Sequence, residues 1–290
     1  MVLTVHHSPH RRSARLELAG RRRYSHGMPS HDFRSPRLYV DQRLAIELPI
    51  TLDQGQTHYL ADVLRRKPGD RLLVFNGRDG EWEAELAQSG KRGVVLTPRM
   101  QTRPQDRASD LHYLFAPLKR ARLDYMVQKA VELGAGHLQP VLTRHTQAER
   151  VNTARMRANV IEAAEQCGIL NLPAVREPLS LAHALAALSP DRLLVFCDED
   201  APVSDPLAAL SAAGGDGSGH GARPVALLIG PEGGFAAEER TAILDRPGTV
   251  RLALGPRILR ADTAAVAALA LVQASLGDWG RNHSPADRGV

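Results

Sequence analysis

The 290-residue sequence contains only two cysteines, Cys167 and Cys197, and they lie too far apart to form a zinc motif or a disulfide framework. Such sparse use of cysteine is typical of the reducing cytoplasm. Aromatic residues make up 4% of the chain, which leaves little material for an extended base-stacking surface. The longest apolar run, around Ala264–Leu271, is too short and too rich in alanine to span a bilayer, and no secretory signal follows Met1. We therefore expect a cytoplasmic protein without a membrane segment.

Net positive charge is also scarce outside the first 35 residues. The whole chain carries a formal charge of +5, and residues 1–35 supply all of it, with seven arginines against Glu17 and Asp32. This stretch lacks a periodic pattern of apolar residues, so we predict a disordered basic extension. It is either an arm that binds RNA or an extension without a function. The remaining chain is formally neutral, and RNA binding by its folded part would depend on local basic patches.

Residues 36–103 have the pattern of a small β-domain. Short runs of strand-forming residues alternate with turns, and Asn76-Gly77-Arg78-Asp79-Gly80 is a strong hairpin signal. A helical pattern over Thr57–Arg66 places Leu60 and Leu64 on one side. These features predict a small β-barrel with one helix. The predicted strands are Arg37–Val40, Leu44–Leu48, Arg71–Asn76, Glu81–Leu86 and Gly93–Pro98.

The densest cationic cluster of this part consists of Arg65, Arg66 and Lys67. Clustered cations of this kind can neutralise phosphates and position RNA without reading its sequence. The alternative is a solvated end of the predicted helix. The polar segment Gln101–Asp110 has a proline and no period, and we predict that it is the linker to the next domain.

From Leu111 onward, strands alternate with helices, which is typical of an α/β fold with a mostly parallel sheet covered on both faces. We assign residues 111–280 to this domain and residues 281–290 to a tail. The last helix is alanine-rich and must be buried on more than one side, against the sheet or against a second copy of the chain. The predicted strands are Leu111–Ala116, Leu138–Leu142, Leu193–Cys197, Val225–Ile229 and Thr249–Ala253, and the predicted helices are Arg122–Leu133, Asn152–Cys167, Leu179–Leu188 and Ala261–Leu276.

Two glycine- and proline-rich turns each follow a predicted strand of this domain. One is Gly230-Pro231-Glu232-Gly233-Gly234-Phe235, and the other begins at Leu254-Gly255-Pro256. Ligands bind at the carboxyl ends of strands in open α/β sheets, and glycine lets them lie against main-chain groups. Neither turn matches a nucleotide motif, and Gly217–Ala222, which imitates one, is followed by a strand where a helix is required. Either turn alone would be a tight connection, but together they predict one pocket rich in backbone donors and acceptors.

The strings LIGPEGGF and LGPRILRADTA resemble the two loop motifs of the RsmE family, the small-subunit ribosomal RNA uridine N3-methyltransferases of the SpoU-TrmD (SPOUT) superfamily. The resemblance covers about residues 36 to 280. It extends upstream through Lys119, Gln128–Gly134, Pro140 and Glu165–Cys167, and further back to His58 and Val63–Arg65.

This resemblance implies an N-terminal PUA-like RNA-binding β-barrel and a C-terminal trefoil-knotted α/β methyltransferase domain. It also implies a homodimer that binds S-adenosylmethionine, needs no metal, and methylates N3 of a uridine in small-subunit ribosomal RNA or in the assembled subunit. Lys119 joins Arg65, Arg66 and Lys67 as an expected RNA contact. The cofactor contacts carried over are Leu228, Gly230, Glu232, Gly233, Leu254, Gly255, Ile258, Leu259 and Thr263.

The proposed chemistry requires that the imide proton leave N3 of uridine. A guanidinium group facing a uracil carbonyl would stabilise the resulting anion, and Arg260 is the candidate. The alternative for Arg260 is to brace the second loop by pairing with Asp262 or Glu232. These two carboxylates are the candidate bases, and either one could instead be structural.

Three positions depart from the pattern of the family. Asp262 stands where glutamate is usual, Arg144-His145 stands where Glu-Arg is common, and Ile169 stands where an arginine is common. Two other functions remain as alternatives: a ribose 2′-O-methyltransferase of the same superfamily and a non-catalytic RNA-binding assembly factor. The PUA-like front domain and the GPEGG string speak against the ribose methyltransferase.

Overall fold

The structure is a computed structural model that describes residues 35–90, 93–147, 150–202, 205–214 and 223–279. The predicted basic extension, except for Ser35, lies outside these ranges, as do Gly217–Ala222 and the tail 281–290. Across the described residues, no helix combines the length and the apolar character needed to cross a membrane.

The N-terminal strands form one five-stranded sheet in the order β1-β3-β4-β5-β2. Strands β1 and β3 pair in parallel, and the other neighbours are antiparallel. The sheet encloses the apolar side chains Leu38, Val40, Leu44, Ile50, Leu52, Leu60, Leu72, Val74, Ala84, Leu86, Val94 and Leu96. The strands are β1 (Arg37–Tyr39), β2 (Ile50–Thr51), β3 (Arg71–Phe75), β4 (Glu81–Gly90) and β5 (Gly93–Arg103).

The strand predicted at Leu44–Leu48 is wrong, because this segment is a turn. The Asp79 carboxylate accepts the Leu44 N–H at 2.9 Å, and Glu47 has a left-handed φ of 58° that an extended strand does not allow. Ile46 is consequently 65% exposed, although its alternation with Leu44 predicts burial. The strand that pairs with β5 begins only at Ile50.

The predicted helix Thr57–Arg66 is shifted and divided. Helix α1 (Gln54–His58) begins three residues earlier, because Asp53 caps it and exchanges hydrogen bonds with Gln56. A π-helical turn (Tyr59–Val63) then follows, closed by the Leu64 N–H donating to the Tyr59 carbonyl at 2.9 Å. Arg65 ends it with a left-handed φ of 52°, at a position where helices usually place glycine.

The C-terminal domain contains a seven-stranded parallel sheet in the order β12-β10-β11-β6-β7-β8, with β9 paired beside β7. This confirms the predicted α/β class. Its strands are β6 (Leu111–Phe115), β7 (His137–Leu142), β8 (Ala174–Val175), β9 (Leu179–Ser180), β10 (Leu193–Cys197), β11 (Val225–Ile229) and β12 (Thr249–Leu252). The trefoil knot stays a prediction.

Helices cover both faces of this sheet, and each face has its own apolar core. Helices α2, α3, α5 and α7 contribute to one core, and helices α4 and α6 contribute to the other. The helices are α2 (Arg120–Glu132), α3 (Thr153–Cys167), α4 (Leu181–Ala186), α5 (Pro206–Gly214), α6 (Ala237–Leu244) and α7 (Ala261–Ser275). Helix α5 has no counterpart among the predicted elements, and β9 takes the first two residues of the helix predicted from Leu179.

Helices α2 and α7 lie side by side in the same direction. At their ends, the buried Gln273 amide of α7 donates to the carbonyl of Leu133, just beyond α2, at 2.8 Å. At their beginnings, Arg122 of α2 binds Asp262 of α7. Small residues of α7, including Ala264, Ala265 and Ala268, are buried in the shared core. The alanine-rich helix is therefore buried within the chain, as one of the two predicted alternatives requires.

The two domains are joined by hydrogen bonds between the N-terminal sheet and the end of α3. The Tyr39 N–H donates to the Glu165 carboxylate at 2.8 Å, and Nη2 of Arg103 donates to the Gly168 carbonyl at 2.8 Å. The predicted linker Gln101–Asp110 is wrong in its first three residues, because β5 continues to Arg103. Its remainder is also held to the second domain, since Gln105 donates to Asn171 at 2.9 Å.

Candidate active site

Two loops leave the same edge of the parallel sheet. The first loop (Gly230–Ala236) joins β11 to α6, and the second loop (Ala253–Arg260) joins β12 to α7. Strand β10 lies between β11 and β12, so the two strands are not neighbours. Because all three strands are parallel, both loops nevertheless lie at the carboxyl edge, where α/β sheets bind ligands.

Arg122 joins the two loops. Its Nη1 donates to Glu232 of the first loop at 3.0 Å, and its Nε and Nη2 donate to Asp262, directly after the second loop, at 3.0 and 3.1 Å. The hydrogen bond from Arg122 is the main cause that lowers the pKa of Asp262. Asp262 is therefore a fixed, ionised carboxylate, whereas Glu232 has a single contact with Arg122. The sequence offered no signal for this arrangement, because the partners are far apart along the chain.

Arg260 is exposed directly before α7, and within the described residues its guanidinium has no ion-pair partner. The alternative that Arg260 braces the loop through Asp262 or Glu232 is wrong, because Arg122 binds both carboxylates. The donors of Arg260 remain available to a ligand.

The cofactor residues carried over from the resemblance differ in what they can offer. The Leu228 side chain is fully buried in the core of the α4 and α6 face, so only its backbone could contact a ligand. Leu254 and Leu259 pack partly against the other core, and Thr263 is exposed. Ile258 is 97% exposed, which is unusual for a large apolar side chain.

The main chain of both loops is suited to a ligand that binds backbone groups. A Cβ built on Gly255, which has a φ of +92°, or on Gly234 would meet no atom within 4 Å. Among the described residues, no hydrogen bond joins the backbone of residues 254–259 to another backbone group. These free N–H and C=O groups fit the adenine-containing cofactor that the resemblance implies, since each unpaired group needs a partner when a ligand covers it.

His145 supports the first loop from outside the two motifs. Its Nδ1 lies 3.1 Å from the Gly233 carbonyl and 3.2 Å from that of Gly234, and the preceding Arg144 donates its N–H to Glu239 at 2.9 Å. The departure from the family pattern at Arg144-His145 therefore lies against the candidate site. No sequence motif marks His145 as a support of this loop.

A basic cleft of about 490 Å³ opens at the beginning of α2. Lys119 lines it, as do Arg120, Arg122 and Arg150, beside Leu118 and Ala121. Of these four cations, only Arg122 has an ion-pair partner within the described part of the chain. The other RNA candidates, Arg65 and Lys67, are exposed on the first domain after the π-helical turn, and Arg66 is half-buried.

At the opposite edge of the sheet, Asp110, His112 and His137 place ligand atoms within 4.8 Å of one another. Burial is the main cause that lowers the pKa of His112 to about 4, followed by the charge of Arg192. Arg192 also binds both oxygens of Asp110, at 2.8 and 3.0 Å. A guanidinium in this position repels a cation, so we assign no metal to the cluster.

Two family models match the chain in the order of its two domains. A model described as an RNA methyltransferase domain matches residues 105–273, and one described as an RNA methyltransferase PUA domain matches residues 52–99. The fold and site thus define an RNA methyltransferase with an N-terminal PUA domain. More particularly, the chain belongs to the ribosomal RNA small subunit methyltransferase E family, which the sequence resemblance predicted.

Individual relatives agree over nearly their whole length. Ribosomal RNA small subunit methyltransferase E of Rickettsia conorii is 31% identical, with 82% of this chain and 94% of the relative covered. A putative methyltransferase from Legionella pneumophila, solved with bound SAM, has a TM-score of 0.69 and 28% identity over 83% of this chain and 98% of its own. The structure of a ribosomal RNA small subunit methyltransferase E from Neisseria gonorrhoeae, bound to S-adenosyl methionine, has a TM-score of 0.72 and 25% identity. The similarity covers 84% of this chain and 99% of the Neisseria chain.

Proposed function

We propose that this protein transfers a methyl group from S-adenosylmethionine to N3 of a specific uridine in small-subunit ribosomal RNA. The observation that carries the proposal is the pair of glycine-rich loops at one sheet edge, tied together by Arg122 and rich in free main-chain groups. Family membership and the SAM-bound Legionella and Neisseria structures support the same cofactor.

The cofactor supplies an activated methyl group when bound, so the chain need not provide a nucleophile or a metal. Backbone groups of Gly230, Gly233, Leu254 and Gly255 hold it, and Thr263 offers an exposed hydroxyl beside them. The open space above Gly255 allows the ligand to approach the backbone without meeting a side chain.

The acceptor needs more help, because N3 of uridine carries a proton that must leave. Arg260 has free donors for the uracil carbonyl on which negative charge develops. Of the two candidate bases, Asp262 is the weaker, since Arg122 holds both of its oxygens and lowers its pKa. Glu232, which is more exposed and has one hydrogen bond to Arg122, takes the proton from N3.

The corner after the π-helical turn is one RNA contact of the first domain. Arg65 keeps a strained left-handed backbone there, and such strain together with a π-turn is frequent at functional sites. The neighbouring Tyr59 is 42% exposed and offers a ring on which a base can stack. Arg65, Arg66 and Lys67 then neutralise backbone phosphates.

The basic cleft at the beginning of α2 is a second RNA contact. It concentrates Lys119, Arg120 and Arg150 beside Arg122, which touches the methyl-transfer loops. Guanidinium and ammonium groups without ion-pair partners attract phosphates strongly, and the attraction weakens with salt. The cleft therefore draws the RNA backbone toward the loops.

Cytoplasmic homodimers are part of the proposal. The 97% exposure of Ile258, beside the proposed cofactor loops, supports a partner subunit that covers it. The substrate is ribosomal RNA, either free or within the assembled small subunit.

The decisive experiment incubates the purified protein and labelled S-adenosylmethionine with free small-subunit RNA and with assembled small subunits that lack the modification. Mass analysis of the digested RNA should reveal N3-methyluridine in at least one substrate. A methylated ribose would instead favour the 2′-O-methyltransferase. RNA binding without any transfer to either substrate would favour an assembly factor.

A further inference from the structure

We infer that Arg122 is a positioning residue that exchanges partners: an RNA phosphate in the basic cleft replaces Glu232 on the guanidinium, which frees Glu232 for the uridine. This inference rests on the proposed function, because it assigns the regulation of the same site. It concerns a residue that lies outside both loop motifs.

Arg122 is placed for such an exchange, because it belongs to two sites at once. Its side chain lines the cleft with Lys119, Arg120 and Arg150, and it also binds a carboxylate from each loop region. The Arg122 side chain is 34% exposed, so a phosphate can approach it from solvent. Guanidinium groups bind phosphate and carboxylate with the same fork geometry, so the two anions compete.

The two carboxylates are held unequally. Asp262 accepts from Nε and Nη2, and its side chain is only 17% exposed. Glu232 accepts from Nη1 alone, and its side chain is 40% exposed. An exposed ion pair with one hydrogen bond is weak, whereas a bidentate pair is stronger and more directional. An incoming phosphate therefore displaces Glu232 first, while Asp262 keeps the arginine in place.

The exchange has a functional consequence. Before RNA arrives, Glu232 accepts the hydrogen bond from Nη1 of Arg122, so its carboxylate is held on the arginine rather than turned to the uridine. After a phosphate occupies Nη1, Glu232 can turn to the uridine. Glu232 is thus released as the general base only when an RNA phosphate binds in the basic cleft. Arg122 continues to hold the second loop through Asp262.

A double-mutant cycle on RNA affinity tests the exchange without requiring methyl transfer. The probe is a fluorescent single-stranded oligonucleotide of small-subunit ribosomal RNA, measured by anisotropy. Glu232→Gln removes the competitor for Arg122, so we expect RNA to bind about threefold more tightly, within the range of a weak exposed ion pair. In an Arg122→Ala background the same change should have no effect.

Matched controls separate the exchange from general charge effects. Glu132→Gln also removes one carboxylate from an ion pair, in this case the pair with Lys129. Its effect on RNA affinity should be the same with and without Arg122→Ala. Arg155→Ala removes an arginine that binds Asp124 through Nε and Nη2, and it should not change the effect of Glu232→Gln. Equal tightening by Glu132→Gln and Glu232→Gln, or tightening that persists in Arg122→Ala, would overturn the inference.

Hydrogen exchange measures the positioning role separately. Arg122→Ala should increase amide exchange in both loops, and Arg122→Lys, which retains one cation for Asp262, should restore protection in the second loop more than in the first. Unchanged exchange in Arg122→Ala would also overturn the inference. If methyl transfer to RNA is observed while the cycle shows no coupling, the proposed function stands and only the exchange fails.

Discussion

The Glu81 carboxylate accepts a hydrogen bond from Nε of Arg37 at 2.7 Å, and both side chains are less than 5% exposed. Arg103 donates to the same carboxylate at 2.8 and 3.0 Å. Burial alone would raise the pKa of Glu81, but the hydrogen bonds from Arg103, Arg37 and Thr102 together lower it. Both arginines also reach carbonyls at the end of α3, so this one carboxylate organises the junction of the two domains.

Replacing Glu81 should therefore destabilise the protein strongly. Glu81→Gln removes the negative charge that the buried Arg37 guanidinium and the neighbouring Arg103 bind, which costs about 3–5 kcal/mol of unfolding free energy. Urea denaturation measures the loss. The control is Glu83→Gln, which breaks the exposed pair with Arg71 and should cost less than about 1 kcal/mol. Similar losses in both variants would refute the assigned role of Glu81.

Arg260→Ala should abolish methyl transfer while leaving the cofactor bound. Removing a donor that stabilises developing negative charge lowers kcat about 100-fold or more. In calorimetry, Arg260→Ala should bind S-adenosylmethionine with the same affinity as the unchanged protein, because Arg260 contacts the uracil and not the cofactor. Arg257→Ala, an exposed arginine of the same loop, serves as the control and should keep turnover. Near-normal turnover in Arg260→Ala would remove it from the chemistry.

Gly255 and Gly69 form a matched pair, since both have a φ of +92° and open space around the missing Cβ. Alanine at either position should cost about 1–2 kcal/mol of stability, because its side chain disfavours this backbone conformation. Only Gly255→Ala should weaken the binding of S-adenosylmethionine, by about tenfold or more, since the cofactor approaches this glycine. If calorimetry gives both variants the affinity of the unchanged protein, the second loop does not cradle the cofactor.

Arg65→Gly should raise stability and weaken RNA binding. Glycine relieves the left-handed strain at φ 52°, a gain of about 1 kcal/mol in denaturation experiments. The lost cation should reduce the slope of log affinity against log salt by about 0.7, the value for one contact to single-stranded RNA. Arg65→Lys keeps both charge and strain and should resemble the unchanged protein. Unaltered RNA binding by Arg65→Gly would contradict the proposed contact.

The stability of the protein should fall as the pH drops below 6.5. The pKa of folded His112 is about 4, so between pH 6.5 and pH 4 the unfolded chain binds a proton that folded His112 does not bind. The loss from this group is at most about 2 kcal/mol between pH 6.5 and pH 5. Thermal unfolding across this range should depend less on pH in His112→Gln, whereas the exposed His183→Gln should follow the unchanged protein. An equal pH dependence in all three would refute the role of His112.

Local sequence patterns determined much of the second domain. Strands Leu193–Cys197 and Val225–Ile229 were predicted with the bounds that the structure has, because each is a continuous apolar run next to a turn or a loop. Asn152 caps α3 through the Arg155 N–H, and Lys129 pairs with Glu132 three residues further along α2. These features depend on residues no more than four positions apart. The two loop motifs are also short stretches of neighbouring residues, and they were sufficient to predict the family.

Tertiary structure alone decided the features that depend on distant partners. Leu44–Leu48 has an alternating pattern, but the Asp79 carboxylate, 35 residues away, takes the Leu44 N–H. Arg122 gave no signal, because its carboxylates at Glu232 and Asp262 lie 110 and 140 residues further along the chain. Side-chain pairing across such separations depends on the order of strands in the sheet. A pattern of neighbouring residues does not encode that order, so the link between the two loops became visible only in the folded protein.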